Sequence, residues 1–484
     1  MLWALLGCTV TGFENTPCTA NAECRDAFGF GWACDDDVGL CEEAEVHPRC
    51  ASSWPEDLFL RPENYRDTIV FASMFDHSAD RAEINASRLP IIQVTEQGGL
   101  HDRDYAIVEC TYEENPALDA LDYPGAAREV SLYVADTLGI PAIIGPATSS
   151  QTQEVYNATR DLGVFIISPS ATSPALTLID GAVKTDAQPG LLWRTAPPDS
   201  LQGVAVAKDM RKRGLRDVAV IFQTGPYGEG LANVFIESFR DDFHTVLEKQ
   251  FTTDSDRDTA VAQVGEDDDV EEVFFISSEV SDIIAFLNGA AVNTNYDEKT
   301  FFLADGAADE QMLQQTSQNS ETWDRIRGSR PAVPEGNVYQ AFDTAYAAAY
   351  GVSADISAYT GYSFDATWLA IYGSAWSGRS PADPITGVGI AQGLRKVSNG
   401  TEIEIRANSW NDVKARFAEA QPVDVVGASG ELDYDPDTEE TTTPIEIWSV
   451  NDEGDGFDLC TTWCWDGTTP TLCGDGFDAC LQDD

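Results

Sequence analysis

The sequence predicts an α/β protein whose parallel sheets carry helices on both faces and are divided between two lobes. From about Asp67 onward, strand-like runs are mostly separated by amphipathic stretches long enough for crossover helices, and this spacing favours parallel pairing. The runs are TIVFASMF, YAIVEC, PAIIG, GVFIIS, DVAVIF, EEVFFIS and TFFLAD. Several are apolar almost throughout, which is typical of strands that are buried on both faces.

After Gly336 the order of elements changes. Long helical runs dominate, including VYQAFDTAYAAAYG and GYSFDATWLAIYGSAW, and two strand-like runs follow them, GELDY and PIEIWSV. A helical return followed by late strands indicates that the chain revisits a lobe that it built earlier. We therefore expect several crossings between the lobes, near Arg194–Thr195, Val338–Gln340 and Ala428–Gly430.

The cysteines crowd the two ends of the chain, in segments that are rich in Asp and Gly and that show no helix or strand period. Such clusters indicate disulfides and an oxidising compartment. If the four cysteines at each end pair among themselves, Cys50 is left for Cys110. A zinc site remains the alternative, although these clusters lack the short paired spacings and the histidine that zinc sites use. The expected disulfide cysteines are Cys18, Cys24, Cys34, Cys41, Cys50, Cys110, Cys460, Cys464, Cys473 and Cys480.

The remaining cysteine, Cys8, ends the sequence LLGC, which resembles a bacterial lipobox. In that interpretation Cys8 becomes the lipidated N-terminus after signal cleavage and anchors the protein to a bacterial membrane. The residues before Cys8 carry no positive charge and form only a short apolar run, whereas a working signal peptide needs a charged region and a longer one. Two explanations are therefore open. Either the true start codon lies further upstream and a longer signal peptide precedes Cys8, or Cys8 is a free or disulfide-bonded thiol. No other segment approaches the roughly 18 apolar residues that span a bilayer.

The charge balance excludes two classes of partner. The chain has 82 acidic and 29 basic side chains, with a formal net charge of -53. Nucleic acid and anionic membrane surfaces would repel such a protein. A membrane contact is expected only through the lipid anchor.

Motifs of the common enzyme classes are missing from the sequence. It contains no HExxH, no GxSxG and no Walker A lysine motif, and its four histidines have no partner at a useful spacing. We therefore expect no catalytic residues, no cofactor and no metal site. Acidic loops such as DYDPDTEE have oxygen ligands at alternate positions, as calcium loops do, but they lack the closing glutamate. They are interpreted as solvated acidic loops, with calcium as the alternative.

Two neighbouring strand-like runs end in turns that are rich in hydroxyl groups. PAIIG leads into Thr148, Ser149 and Ser150, and GVFIIS leads into the sequence SPSATS. Adjacent parallel strands bring their carboxyl ends to one rim, where open α/β sheets bind ligands. Backbone N–H groups at a helix start, helped by hydroxyls, can cradle a carboxylate. The alternative is that Ser150 and Gln153 form a capping box and the helix only caps itself.

At this point a family resemblance becomes visible. The stretch IIGPATSSQTQEVYNATRDLGVFIISPSATSPALT resembles the branched-chain amino-acid binding proteins of bacterial ABC transporters, which have the two-lobe type I periplasmic binding fold. The blocks WRTAPPDSLQG, VIFQTGPYGEGLANVF, TFFLADGA, YSFDATWLAIYG and GASGELDYDP continue the resemblance in the same order. It covers roughly Asp67 to Val450 and leaves both cysteine-rich ends outside.

The resemblance implies a ligand site between the lobes. The first lobe would grip the carboxylate and the amino group of a ligand through the two hydroxyl turns, with side-chain hydroxyls and nearby backbone groups. A tyrosine of the second lobe would close over the ligand, and an aspartate would face its ammonium. The implied ligand contacts are Thr148, Ser149, Ser170, Ala171, Thr172, Tyr227 and Asp305.

Three departures from the family pattern concern the pocket for the ligand side chain more than the grip on the zwitterion. The second cleft tyrosine of the family has no counterpart, and Ser277, Ser278 and Glu279 occupy its region. Thr148 stands where the family has a cysteine. The acidic position is Asp305 rather than a glutamate, which is one methylene longer.

The resemblance thus predicts a monomeric solute-binding protein in the periplasm or at the cell surface, which captures a small amino acid or a related amide and delivers it to an ABC permease. The alternatives are a sensing receptor of the same fold and a surface protein whose lobes no longer bind. A neighbouring permease operon would favour transport over sensing. The predicted segments are a possible signal and anchor at 1–17, a disulfide-stapled segment at 18–62, the binding domain at 63–455 and a cysteine-rich tail at 456–484. Within the binding domain, one lobe takes about 66–194 and 341–427, and the other about 195–338 and 430–453.

Overall fold

The structure of the protein is a computed structural model, which describes residues 16–332, 336–466, 469–474 and 478–480. Two large sheets, each covered by helices on both faces, form two lobes. Cys8 and all but the last two residues of the possible signal segment lie outside the described residues. The ten described cysteines form five disulfides, namely Cys18–Cys34, Cys24–Cys41, Cys50–Cys110, Cys460–Cys480 and Cys464–Cys473. Four cysteines at each end thus pair among themselves and Cys50 pairs with Cys110, as predicted.

The N-terminal segment was expected to be loop-like, and this expectation is wrong. It contains helix α1 (Asn21–Phe28) and a hairpin of β1 (Trp32–Asp35) and β2 (Leu40–Glu43). In the turn between the two strands, the Asp35 carboxylate accepts hydrogen bonds from the backbone N–H groups of Asp37 and Val38. Gly39 completes the turn with a positive φ of 65°. Two disulfides stabilise this unit instead of an apolar core. Its sequence therefore shows no hydrophobic periodicity from which the helix and the hairpin could be predicted.

The sheet of the first lobe has the order β3-β5-β4-β6-β7-β8 and is parallel except for the edge strand β3. The disulfide Cys50–Cys110 ties the chain before β3 to β5. The elements of this lobe, in chain order, are β3 (Ser52–Trp54), β4 (Ile69–Phe75), α2 (Arg81–Glu96), β5 (Tyr105–Thr111), α3 (Tyr123–Leu132), β6 (Ala142–Ile144), α4 (Ser149–Thr159), β7 (Phe165–Ser168) and β8 (Leu192–Arg194).

The sheet of the second lobe begins with five parallel strands in the order β10-β9-β11-β12-β13. Each strand is followed by a helix or leaves the lobe, as the alternating sequence pattern predicts. The elements are α5 (Asp199–Lys212), β9 (Asp217–Gln223), α6 (Pro226–Phe239), β10 (Thr245–Phe251), α7 (Asp254–Gly265), β11 (Glu272–Ile276), α8 (Val280–Ala291), β12 (Thr300–Leu303), α9 (Glu310–Thr316) and β13 (Ile326–Pro331).

The chain then returns to the first lobe through four helices and a small three-stranded sheet. Helix α11 is apolar on all sides and is buried along nearly its whole length among α2, α12 and α13. The elements are α10 (Asn337–Tyr350), α11 (Thr360–Ser377), α12 (Gly387–Leu394), β14 (Thr401–Glu404), α13 (Trp410–Ala418), β15 (Val423–Gly427) and β16 (Gly430–Glu431).

The C-terminal segment was also expected to be loop-like, and the structure corrects this. After β17 (Ile445–Val450) joins the second sheet beside β13, the strands β18 (Phe457–Asp466) and β19 (Thr469–Leu472) continue the same sheet by antiparallel pairing. Cys460 and Trp463 of β18 are buried in the core of the second lobe. The tail therefore covers an otherwise open strand edge, which a protein has to protect.

The inner parallel strands of both sheets are buried on both faces, whereas the edge strands β3, β10 and β19 are partly exposed. In β4, Phe71 and Phe75 pack on the side of α2 and α11, whereas Val70 and Met74 pack on the side of α3. The second lobe repeats this division, with α5 and α6 on one face and α7 and α8 on the other. Double burial explains the almost uninterrupted apolar runs in the sequence.

The third crossing between the lobes comes later than expected at Ala428–Gly430. Strand β16 still pairs with β15, and Leu432 and Tyr434 lie in the core of the first lobe. Glu440 then forms an ion pair with the buried Arg194 of that lobe. The chain therefore leaves the first lobe only after Glu440, because these contacts hold it there.

Candidate ligand-binding site

The two hydroxyl turns lie side by side at the carboxyl ends of β6 and β7. The hydroxyl of Ser168 donates to the carbonyl of Pro146 at 2.6 Å, and the hydroxyl of Ser170 donates to the carbonyl of Ala147 at 2.8 Å. The backbone N–H of Ser173 donates to the hydroxyl oxygen of Ser149 at 3.2 Å. The second turn is thus bonded to the first along its length, and the two form one polar surface.

Gly145 makes the first turn possible. Its φ is 98°, and a Cβ atom at this position would lie only 2.4 Å from the carbonyl oxygen of Met74. The turn can therefore press against the neighbouring strand β4 only with a glycine here. This close approach sets where helix α4 and its first hydroxyls stand.

The alternative interpretation of the first turn, a capping box of Ser150 and Gln153, is wrong in its residues, because the helix cap lies two residues earlier. Thr148 is the N-cap of α4, and its hydroxyl accepts a hydrogen bond from the N–H of Gln151 at 3.5 Å while it also bonds the Gln151 side chain. Capping thus occupies the Thr148 side chain, whereas the Ser149 hydroxyl, in the first turn of α4, accepts the hydrogen bond from the N–H of Ser173.

The predicted contacts of the second turn divide into occupied and available groups. The Ser170 hydroxyl is used by Ala147, and the N–H and C=O of Ala171 are used by Ser168 and Arg194. By contrast, the Thr172 hydroxyl is buried, and in the described part of the chain it has no hydrogen-bond partner. Because a buried polar atom without a partner is costly, Thr172 is the hydroxyl of this turn that a ligand can use.

The side chain of Arg194 holds the backbone of the second hydroxyl turn through hydrogen bonds. Its guanidinium donates to the carbonyls of Ala171 and Ser173 at 3.1 and 2.8 Å, and it also pairs with the carboxylate of Glu440. Both charged groups of this pair are buried. A buried ion pair offsets the cost of its desolvation only when its geometry is good and its other donors are bonded, as they are here. The pair fixes the second hydroxyl turn to the segment just before the third crossing.

Asp305 is the centre of the second lobe's side of the cleft. Its Oδ1 accepts hydrogen bonds from the hydroxyl of Tyr227 at 2.6 Å and from the amide of Gln202 at 2.9 Å. Its Oδ2 accepts one from the hydroxyl of Tyr359, at the start of α11 in the first lobe. An ionised carboxylate can accept about four hydrogen bonds, so Oδ2 retains room for one more donor.

A second carboxylate, that of Asp199, lies beside Asp305. Asp199 begins α5, is 0% exposed, and has no hydrogen-bond partner on either carboxylate oxygen among the described residues. Burial, followed by the charge of Asp305, raises the pKa of Asp199 well above its usual range. The hydroxyl of Thr172 opposes this shift, although it stands outside hydrogen-bond geometry. Asp199 therefore offers more free acceptor capacity to a cation than Asp305 does.

The two lobes touch around this site. Besides the contact between Tyr359 and Asp305, the hydroxyl of Ser173 donates to the carbonyl of Pro226 at 2.5 Å. Helices α4 and α6 also contact each other across the cleft. The site is therefore enclosed between hydroxyls of the first lobe and carboxylates of the second, an arrangement that can bind a zwitterion away from water.

Three residues of this site were not found from the sequence: Asp199, Gln202 and Tyr359. Asp199 and Gln202 lie in the block WRTAPPDSLQG, three residues apart at a helix start that follows a strand of the lobe, and that placement was a usable signal. Tyr359 gave no such signal. It reaches Asp305 across a separation of 54 residues, and only the packing of the two lobes brings them together.

Comparison with known proteins places this geometry in a family. The model of the family described as the receptor family ligand-binding region matches residues 116–453. The leucine-specific-binding protein of Salmonella typhimurium is 34% identical over 153 residues, which are 31% of this chain and 36% of that protein. The Leu/Ile/Val-binding protein of Escherichia coli is 29% identical over 180 residues, which are 35% of this chain and 44% of that protein. The alignments thus span less than half the length of these relatives.

Solved structures resemble the whole fold. The branched-chain amino acid transporter substrate-binding protein LivJ of Streptococcus pneumoniae, in complex with isoleucine, superposes with a TM-score of 0.60 at 20% identity and covers 81% of this chain and 99% of its own. A solute-binding protein of an ABC transporter from R. palustris, in complex with benzoate, reaches a TM-score of 0.59 at 16% identity and covers 85% and 99%.

The fold, the site between the lobes and the family match all indicate a ligand-binding protein. The family consists of ligand-binding regions and not of enzymes. Within the described residues, no helix has both the length and the apolar character needed to cross a membrane. The chain belongs to the receptor ligand-binding-region family and has the two-lobe fold of the type I periplasmic binding proteins.

Proposed function

We propose that this protein is an extracytoplasmic solute-binding protein that captures an amino acid or a related amide between its lobes and delivers it to an ABC permease. One observation carries the proposal: the Thr172 hydroxyl of the first lobe, which has no hydrogen-bond partner among the described residues, lies beside two buried carboxylates of the second lobe. Ser149 and Thr172 supply the hydroxyl side, and Asp199 and Asp305 supply the acidic side. A ligand with a carboxylate at one end and an ammonium at the other matches this division of charge.

The relatives support the class of ligand. The Salmonella and E. coli proteins are named for the binding of leucine, isoleucine and valine, and the S. pneumoniae structure holds isoleucine. The benzoate in the R. palustris structure is a carboxylate without an amine. A carboxylate is therefore the feature these ligands have in common, and the two acidic residues here extend the preference to an amine.

Five disulfides support a location outside the cytoplasm, in the periplasm or at the cell surface, because cytosolic proteins rarely keep such bonds. We include lipid anchoring through Cys8 and a monomeric state in the proposal. Ligand binding would shift an equilibrium between open and closed lobes, and the permease would read the closed form. The family name favours one alternative, in which a receptor partner reads the same closure.

The test is thermal unfolding of the protein with free amino acids, amides and carboxylates without an amine. A ligand at 100 times its dissociation constant adds about 2.7 kcal/mol to the free energy of unfolding. We expect stabilisation by a subset of zwitterions, which is lost in Thr172→Val and in Asp305→Asn. Thr159→Val is the matched control, because that buried threonine bonds only its own helix, to the carbonyl of Val155. Stabilisation by no zwitterion would contradict the proposal.

A further inference from the structure

More acidic groups line the interface between the lobes than a single ammonium needs. We use the name acidic row for five of them, which continue from Asp305 along the cleft. Asp76, Asp80 and Glu83 follow β4 in the first lobe, and Glu279 and Asp309 follow β11 and β12 in the second. Asp76 and Glu83 are buried, Asp80 and Asp309 are partly buried, and Glu279 is exposed at the rim.

Hydrogen bonds connect the acidic row with the site. The hydroxyl of Tyr112 accepts from the N–H of Ala147 in the first hydroxyl turn at 3.3 Å and donates to Asp80 at 3.4 Å. On the other side, the Ser357 hydroxyl bonds Glu83, and Ser357 lies two residues before Tyr359, whose hydroxyl bonds Asp305. The row is therefore part of the same cleft as the proposed zwitterion site.

At the end of the row that lies away from Asp305, Asp76 of the first lobe and Glu279 of the second both lie near Tyr123. The hydroxyl of Tyr123 donates to Asp76 at 3.0 Å. Burial, the charge of Asp76 and the charge of Glu279 together raise the pKa of Tyr123. Because Asp76 belongs to the first lobe and Glu279 to the second, the row runs across the cleft and is not confined to one surface.

The acidic row lacks cations of its own. Within the described part of the chain, neither its five members nor Asp199 and Asp305 form a salt bridge with Lys, Arg or His. Burial, together with the charge of Glu83, raises the pKa of Asp80 well above its usual range, as expected for an acid without a compensating cation.

Several buried acids elsewhere in this protein have cationic partners, and Asp365, which has no salt bridge among the described residues, instead accepts hydrogen bonds from Ala428 and Ser429. Glu272 pairs with Arg213 at 2.7 Å, and Glu439 pairs with Arg395 at 2.7 Å. The general rule that buried charges are paired or hydrogen-bonded is thus obeyed at these three positions. Asp199 breaks this rule: it is fully buried, both its carboxylate oxygens lack hydrogen-bond partners among the described residues, and the nearby Arg194 is already paired with Glu440. The compensating charge is therefore to be sought in the ligand.

The geometry favours an extended organic cation over a metal ion. Among the described residues, the groups of three or more ligand atoms within 4.8 Å of one another are Cys18–Cys24–Cys34 and Cys460–Asp478–Cys480, and the cysteines of both are in disulfides. The carboxylates of the cleft do not converge in this way. They are strung along it, so separate positive groups on one molecule fit them better.

We propose that the ligand of this cleft is a basic amino acid, whose side-chain ammonium or guanidinium group lies against the acidic row while Asp199 and Asp305 hold its α-ammonium. This inference rests on the proposed function, because the hydroxyl turns supply the grip on the carboxylate. A branched-chain side chain would leave the acidic row with its hydroxyl and N–H donors but without a cationic partner. A cationic one would neutralise it and gain charge-assisted hydrogen bonds.

The test compares each basic amino acid with an uncharged molecule of nearly the same shape, by calorimetry on the wild-type protein at moderate salt. The pairs are arginine with citrulline and lysine with norleucine. We expect at least one basic member to bind tenfold or more tightly than its partner. Equal or tighter binding of citrulline and norleucine would overturn the inference and leave the proposed function standing. Binding of no zwitterion at all would overturn both.

Variants locate the effect. In Asp80→Asn and Glu83→Gln, we expect the preference for the charged member of a pair to fall by about tenfold, while Asp412→Asn, at an exposed position on α13, keeps it. An unchanged preference in both cleft variants would overturn the placement of the side chain. Agmatine and cadaverine, which lack the carboxylate, should bind far more weakly than arginine and lysine. If they bind equally well, the carboxylate grip of the proposed function fails while the cationic preference stands.

Discussion

The hydroxyl of Tyr359 in the first lobe donates a hydrogen bond to the carboxylate of Asp305 in the second, so one pair of side chains joins the lobes directly at the ligand site. Tyr227 and Gln202 bind the other oxygen of the same carboxylate from within the second lobe. Asp305 thus bonds groups of both lobes. If it also contacts the ligand, as proposed above, we expect ligand binding and lobe closure to be coupled through this carboxylate.

Removal of the Tyr359 hydroxyl should therefore weaken closure without removing the ligand groups. A hydrogen bond to a charged group contributes about 1.5–3 kcal/mol, so we expect Tyr359→Phe to lower ligand affinity by roughly 10–100-fold. Calorimetry measures the affinity, and X-ray scattering in solution measures the fraction of closed molecules. Tyr350→Phe is the control, because its hydroxyl bonds the carbonyl of Asn85 within the first lobe at 2.9 Å. Equal losses in the two variants would contradict the coupling.

Asp199→Asn should have opposite effects on stability and on binding. The folded-state pKa of Asp199 lies above its unfolded value, so at neutral pH the buried charge lowers the stability of the free protein. We expect the substitution to raise the free energy of unfolding of the ligand-free protein by about 1–3 kcal/mol at pH 7. Affinity for zwitterions should fall. A variant that is less stable and binds normally would show that Asp199 has only a structural role.

Asp365 should control part of the pH dependence of stability. It lies on α11 and accepts hydrogen bonds from the N–H groups of Ala428 and Ser429 at 2.9 and 2.6 Å. Burial outweighs these bonds and raises the pKa of Asp365 to about 7. The folded protein therefore binds the proton more tightly than the unfolded chain, and this contribution to stability is lost as the pH rises from about 4 to about 7.

In denaturant titrations across that range, Asp365→Asn should remove a slope of about 1.4 kcal/mol per pH unit. The difference in unfolding free energy between variant and wild type should then change in the variant's favour with rising pH and level off above the folded pKa. Asp412→Asn, an exposed acid, serves as control for the loss of any one carboxylate. A pH-independent difference for Asp365→Asn would refute the assignment.

The disulfides should differ in their contribution to stability according to the loop that each closes. Cys50–Cys110 joins residues with a sequence separation of 60, and Cys464–Cys473 joins residues with a separation of 9. The chain-entropy relation gives roughly 4 kcal/mol for the first and about 2.6 kcal/mol for the second. Double alanine variants of each pair, unfolded in urea, provide the measurement. A larger loss for the short loop would show that native contacts of the tail, and not chain entropy, dominate.

The sequence by itself determined the layered α/β architecture. Parallel strands buried on both faces require uninterrupted apolar runs such as that of β4, and a buried central helix requires the all-round apolar pattern of α11. From the cysteine clusters the pairing of Cys50 with Cys110 was predicted, on the condition that the four cysteines at each end pair among themselves, and the structure confirms it. The hydroxyl turns after β6 and β7 could be located because strand ends and helix caps are set by neighbouring residues.

Only the tertiary structure decided which groups a ligand can use. Whether the Thr172 hydroxyl and the Asp199 carboxylate lack partners depends on every atom packed around them, and no local pattern records it. The contact of Tyr359 with Asp305 and the late third crossing after Glu440 likewise result from contacts between distant segments. Local periodicity reports how a segment is buried. The choice of partner inside the fold is made by the packing of the lobes, and in the described part of this protein that packing leaves the buried carboxylate of Asp199 without a hydrogen-bond partner.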